Sequence, residues 1–220
     1  MFQTDPFSLI LLFVGMSLLP FLAMVATSYL KIVVVISLIR NALGIQSIPP
    51  NMVVNALALI LSFYIMAPVA QNGWSIYQEE AAKNKETKAL YETQIALKAA
   101  EPMREWLIKQ TDDKSRSFFV STAEQLWAKE GEEKATVDPD SFFILIPSFC
   151  VSELTKAFQI GFLVYLPFIA IDIIVSNILL AMGMMMVSPV TISLPFKLLL
   201  FVMVNGWTLL IQGLVRGYVL

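Results

Sequence analysis

Few residues in this chain are equipped for covalent or metal chemistry. Its 220 residues include no histidine and a single cysteine, Cys150. That removes imidazole ligands and the Ser-His and Cys-His nucleophile systems together. One thiol cannot form an intrachain disulfide, and in an apolar run it behaves as a small core hydrophobe. What remains are isolated ionisable groups in apolar surroundings. "PSFCVSELTKAFQIGF" (147–162) carries Glu153 and Lys156, and "YLPFIAIDIIVSNILLAMG" (165–183) carries Asp172, Ser176 and Asn177. "ISLPFKLLLFVMVNGW" (192–207) carries Lys197 alone, and Lys31 stands in a similar setting. A charge in such a run is costly and faces a bundle interior, a partner or water. Asp172, Ser176 and Asn177 are therefore expected to be buried polar groups. With so few carboxylates and no imidazole, acid–base catalysis has no constellation to build on, and the chain does not read as an enzyme. No cofactor and no metal are expected.

Two local readings follow from spacing. Ser152 suits a helix N-cap, with Glu153 in the first turn where the helix dipole favours an anion. Lys156 then lies three residues on, so Glu153 has a local partner, whereas Lys197 has none. The second concerns "AMGMMMVSPV" (181–190). On a helix, three consecutive methionines point about 100° apart and cannot fill one groove. They either plug separate gaps between helices or form a collar of soft side chains.

The elements that position these residues are apolar. Hydrophobic residues make up 57% of the chain, and mean hydropathy is +0.72, well above a soluble domain. Of 32 charged residues, 24 lie between Glu79 and Asp140. Four apolar stretches, about 7–30, 52–70, 157–182 and 196–215, approach the ~20 residues that a hydrocarbon layer requires of a helix. Pro20, Pro68, Pro167, Pro189 and Pro195 fall in or beside them and predict broken helices. The fold class expected is an all-α membrane protein of Pro-broken hairpins with nominally four apolar helices. The division is 1–70 N-terminal membrane helices, 71–141 a polar helical insertion, and 142–220 C-terminal membrane helices.

The insertion reads as two or three short helices. One stops before Pro102, and another opens at Ser121 with Glu124 in a capping-box pattern and ends near Gly131. "MFQTDPFSLI" lacks the basic n-region of a secretory signal, so the segment is expected to be retained. Lys31 and Arg40 lie in the short 31–51 connection, placing it in the cytoplasm and sending 71–141 to the far side. Net charge is −2, with no basic patch for nucleic acid.

"NALGIQSIPPNM", "VSELTKAFQIGF", "LPFIAIDIIVSNILLAMGMMMVSPVTISLPFKLLLF" and "NGWTLL" resemble the R component of the type III secretion export apparatus, the SctR family, related to flagellar FliP. The resemblance covers almost the whole chain and is weakest over 71–141. It implies a five-membered ring that joins the S and T components, with U and V nearby, as the entry portal for secreted proteins across the bacterial inner membrane. It further implies bent hairpins in a conical stack raised above the bilayer, and a pore gasket formed by Met184, Met185 and Met186, with Gly183 and Pro189 shaping their loop. It also implies a salt bridge between neighbouring subunits formed by Glu153 and Lys197. Asn205 departs from the Asp found before the Gly-Trp pair in many relatives. The alternative function, a small-solute transporter or channel, fits buried charge and broken helices, but the paired internal repeats of many transporters are missing. Lys31, Asp172 and Lys197, unsatisfied in any single four-helix unit, predict that the chain is not a stable monomer.

Overall fold

The computed structural model of the chain describes residues 6–45, 47–83, 88–128 and 135–219. The elements are helices: α1 (Pro6–Val25), α2 (Tyr29–Ala42), α3 (Asn51–Lys83), α4 (Lys88–Ala99), α5 (Glu101–Gln110), α6 (Asp113–Leu126), α7 (Phe142–Ala181), α8 (Pro189–Met203) and α9 (Gly206–Arg216). Two of them, α3 and α7, are each long and apolar enough to cross a membrane, and α8 with α9 pass the same test as a pair bent by 60°.

Of the five prolines expected to break helices, only Pro189 stands at a break, opening α8. Pro20, Pro68, Pro167 and Pro195 all lie inside continuous helices. A proline forfeits one backbone hydrogen bond and kinks the helix, but does not end it when the flanking turns are otherwise held. Hydroxyl and left-handed residues interrupt the chain instead. Thr27 donates its hydroxyl to the Ala23 carbonyl at 2.5 Å and accepts from the Tyr29 N–H at 3.4 Å, marking the junction of α1 and α2. Asn205 (φ 52°, ψ 46°) separates α8 from α9. Asn is among the few non-glycine residues that adopt this left-handed conformation routinely, and Asp shares the property. The position before the Gly-Trp pair therefore has a conformational demand that needs no charge. Gly206 follows because a Cβ there would collide with the Phe201 ring.

Two capping expectations are corrected. Ser121 lies in mid-α6 and donates to the Phe118 carbonyl at 3.0 Å. The N-cap is Asp112, with Asp113 in the first turn. Ser152 and Glu153 likewise lie deep inside α7 rather than at its start. In place of capping its own helix, Ser152 accepts the Asp112 N–H at 3.0 Å, at the start of α6. Pro102 is preceded by the end of α4, as expected, and lies in the first turn of α5, which opens at Glu101. Gly131 lies outside the described residues.

The chain forms two compact units, Met1–Leu30 with Met66–Glu153, and Lys31–Ile65 with Leu154–Leu220. The expected boundary at residue 70 falls inside α3, whereas that at 141/142 coincides with the start of α7. In the first unit, Leu107, Leu145 and Phe149 are fully buried with Met103, Trp106 and Ile146 packed on them. Trp106 meets Phe149 at a centroid distance of 5.2 Å. Gly73 permits close helix contact, since a Cβ there would lie 2.7 Å from the Ala99 carbonyl oxygen. In the second unit, Ile32, Val35, Ile36 and Ile39 of α2 are buried at the i, i+3, i+4, i+7 spacing of one helix face. Phe168 and Phe201 pack at 6.4 Å, and Trp207 meets Phe201 edge-on at 5.4 Å.

Candidate functional site

The methionine loop is built by backbone rules. Gly183 has φ +72°, a region that glycine enters without a Cβ penalty. Its N–H bonds the Leu180 carbonyl at 3.0 Å, and the Met184 N–H bonds the Leu179 carbonyl at 2.9 Å. This pair of bonds is a Schellman motif, which stops α7 and satisfies its last carbonyls. The Val187 N–H then reaches the Met184 carbonyl at 3.4 Å, closing a turn with Met185 and Met186 at its two central positions. Central turn residues project outward. Met184, Met185 and Met186 are 45%, 82% and 102% exposed, so they do not fill gaps within the chain. Ser188 is the N-cap of α8, and Pro189 occupies the first turn, where its missing N–H costs nothing.

At the base of the same helix pair lies a charge cluster. The Lys197 ammonium donates to Asp172 Oδ2 at 2.6 Å and to the Ala42 carbonyl at 3.1 Å. The Ser193 hydroxyl donates to Asp172 Oδ1 at 2.5 Å. Ser193 and Lys197 are four residues apart on α8 and share its buried face, at 0% and 3% exposure. Both oxygens of one carboxylate are thus engaged from α8, while the same ammonium satisfies a carbonyl at the C-terminus of α2, the negative end of that helix dipole. One lysine joins three helices. Between cluster and loop, α7 and α8 leave an open apolar groove of about 390 Å³, lined by residues including Val175, Ile178, Met182 and Phe196.

These contacts correct the expectation that Lys197 and Asp172 lack partners within one chain. Lys31 is also engaged, its ammonium 3.6 Å from the centroid of the Tyr218 ring. Glu153 is 0% exposed, so both members of the expected bridge between neighbouring copies are buried within their own chain. Ser176 and Asn177, expected to be buried, are not enclosed by this chain alone. Asn177 is exposed, and Ser176 and Asp172 are half-buried. The buried face of α7 runs through Phe168, Val175 and Leu179. Asn177, two residues from Val175, is turned some 200° from it.

Sequence reasoning missed Ser193, the Ala42 carbonyl and Tyr218. Ser193 was visible as the hydroxyl one turn before Lys197. "NALG" announces a helix C-terminus, because Gly44, with φ +78°, ends α2 with the same Schellman pattern. Nothing in the sequence pairs either feature with residue 172.

The FliP family model matches residues 11–214. The chain belongs to the FliP family. It is 51% identical over 217 residues, covering 97% of each chain, to Yop proteins translocation protein R of Yersinia pestis. Over 211 residues, 96% of each chain, it is 45% identical to hypersensitivity response secretion protein HrcR of Ralstonia nicotianae. Virulence protein YscR of Salmonella typhimurium is 45% identical over 217 residues, again 97% of each. These relatives place this FliP-family chain with the type III secretion members, the SctR group. Among its described residues, no group of three or more His, Cys, Asp or Glu is arranged to hold a metal ion.

Proposed function

We propose that the protein is a core subunit of the type III secretion export gate, forming with S and T components a protein-conducting portal across the bacterial inner membrane. The observation that carries this reading, beside the family, is an exposed methionine turn at the end of an apolar helix too long for a bilayer. With 40 residues, α7 spans about 60 Å, against ~30 Å of hydrocarbon. Only 17% of its most apolar window is buried within the chain. Lipid can cover half such a helix, and the rest needs protein neighbours. A ring of copies, five by family analogy, with S and T against it and U and V nearby, supplies them.

In such a ring the Met184–Val187 turns converge on the axis. Methionine there disfavours water and ions in a narrow gap, which can gate by dewetting. Its unbranched chain also re-packs around transiting polypeptides of any sequence. The subunit performs no catalysis and works by conduction and sealing. Residues 71–141 face the periplasm, consistent with basic Lys31 and Arg40 beside the cytoplasmic connection. Co-expression with the S and T components, followed by native mass spectrometry of the detergent extract, tests the assembly. A multi-copy complex containing both partners is expected. Monodisperse monomer, or small-solute uptake by that monomer, would overturn the proposal.

A further inference from the structure

Charge in the second unit is one-sided. Lys31, Arg40, Lys156, Lys197 and Arg216 stand there against Asp172, its single carboxylate side chain. Lys197 is neutralised by Asp172, and Lys31 lies over the Tyr218 ring. Arg40 donates to the Pro49 carbonyl at 3.1 Å and to Asn51 Oδ1 at 2.6 Å. Arg216 differs from these. It is exposed in the last turn of α9 and has no ion-pair partner among the described residues. The C-terminal end of a helix dipole favours a cation there, but at about half an elementary charge it does not neutralise one. Arg216 also forms part of the wall of an open groove of about 390 Å³ between α3 and α9. Ile60, Leu61 and Tyr64 line it from α3, and Ile211 and Val215 from α9. On α3, Ile60 and Tyr64 are 64% and 71% exposed. On α9 the buried face runs through Gly206, Leu210 and Leu214, so Ile211 and Val215, each one residue on, lie on the flank about 100° away. Side-chain ridges of a third helix fit such a groove between two. A guanidinium in its wall takes a carboxylate through two parallel N–H···O bonds.

We infer that the α3–α9 groove docks an apolar helix of a different chain, whose aspartate or glutamate is received by Arg216. A second copy of this chain does not supply that group. Of its 17 Asp and Glu residues, 14 lie between Glu79 and Asp140, in the polar insertion. Asp172 is held by Lys197 and Ser193, Glu153 is 0% exposed, and Asp5 lies outside the described residues. Among the described residues, no apolar helix of a second copy therefore has an open carboxylate to offer. Anionic lipid is also the poorer match, because headgroup sites gather several Lys or Arg and Arg216 is the one basic side chain among the described residues lining this groove. Gln212, one turn before Arg216, adds an amide to the same wall for the remaining hydrogen bonds of a buried carboxylate. This role for Arg216 rests on the proposed function, which supplies the other chains.

The test substitutes the photo-crosslinking amino acid p-benzoylphenylalanine for Tyr64 in the complex co-expressed with the S and T components. Irradiation followed by peptide mass spectrometry should recover an apolar peptide of a co-expressed chain that contains an Asp or Glu. Arg216→Glu should lower retention of that chain in the purified complex about thirtyfold. Arg216→Lys should lower it less, since the charge stays and only the planar fork is lost. Changing the identified carboxylate to Arg should restore retention to the Arg216→Glu complex. These substitutions spare Leu210 and Leu214 on the buried face of α9, and the Tyr64 cross-link needs no change at Arg216. A cross-link to another copy of this chain, to phospholipid or to a peptide without a carboxylate would overturn the inference while the complex itself stands. Full retention with Arg216→Glu would do the same. A complex that does not form even with Arg216 in place would remove the proposed function, and this inference with it.

Discussion

Replacing Lys197 by methionine keeps the length and apolar bulk of the stem and deletes only the ammonium. The change takes the 2.6 Å partner from Asp172 and the 3.1 Å donor from the Ala42 carbonyl. Breaking one side of a buried ion pair costs about 3–5 kcal/mol. Asp172 keeps its Ser193 bond, and its side chain is 32% exposed, so water offsets part of the loss and the lower end, about 3 kcal/mol, applies. Asp172→Leu is worse, nearer the upper end, because the stranded ammonium is only 4% exposed and keeps one carbonyl. The double variant Lys197→Met with Asp172→Leu removes both charges together, and an apolar pair of similar volume is often neutral or stabilising. For a chain of this size, 3 kcal/mol corresponds to roughly 6–12 °C in Tm. Thermal unfolding of the detergent-solubilised protein, arranged as a double-mutant cycle, therefore has a fixed order: Asp172→Leu lowest, Lys197→Met next, the double variant near the unaltered protein. If the double variant loses the sum of the single losses, the two side chains do not interact and the three-helix staple is wrong.

Three further outcomes follow from the same geometry. Replacing Met184, Met185 and Met186 together by Ala should leave the complex assembled and raise ion leak, because Met185 and Met186 are 82% and 102% exposed and their truncation removes little packing within the chain; conductance equal to that of the unaltered complex would sink the seal. Asn205→Val should lower Tm, the left-handed conformation costing about 1–2 kcal/mol with a Cβ-branched residue, whereas Asn205→Gly and Asn205→Asp should stay near the unaltered protein; a tolerated valine would show that the break between α8 and α9 lies elsewhere. A bridge between Glu153 and Lys197 of neighbouring copies requires the Asp172 pair to open. Co-expressing Glu153→Lys with Lys197→Glu chains should restore ring assembly on native gels if that bridge forms, and assembly no better than with either variant alone rules it out.

Composition and periodicity alone determined the broad outline. The absence of histidine, the concentration of charge between Glu79 and Asp140, and the apolar runs establish an all-helical membrane chain with a polar insertion. These properties are sums over many residues, and no single contact alters them. The loop-shaping role of Gly183 came from the family resemblance, and its left-handed φ of +72° gives the physical reason, since that region admits few residues other than glycine. Tertiary structure decided what depends on where a residue sits along a helix already under way. Ser121 and Ser152 carry capping chemistry, yet each lies in the interior of a longer helix, where a hydroxyl serves its own turn or a neighbour. Pro20, Pro68, Pro167 and Pro195 lie inside continuous helices and only Pro189 stands at a break, because the end of a helix depends on what holds the following turn. Above all, Asp172, Ser193, Lys197 and the Ala42 carbonyl converge from three helices separated by up to 155 residues of chain. Sequence showed that each charge needed a partner, because an unpaired one in apolar surroundings is too costly. Only the packing of α2, α7 and α8 could show that the partners lay within the same chain.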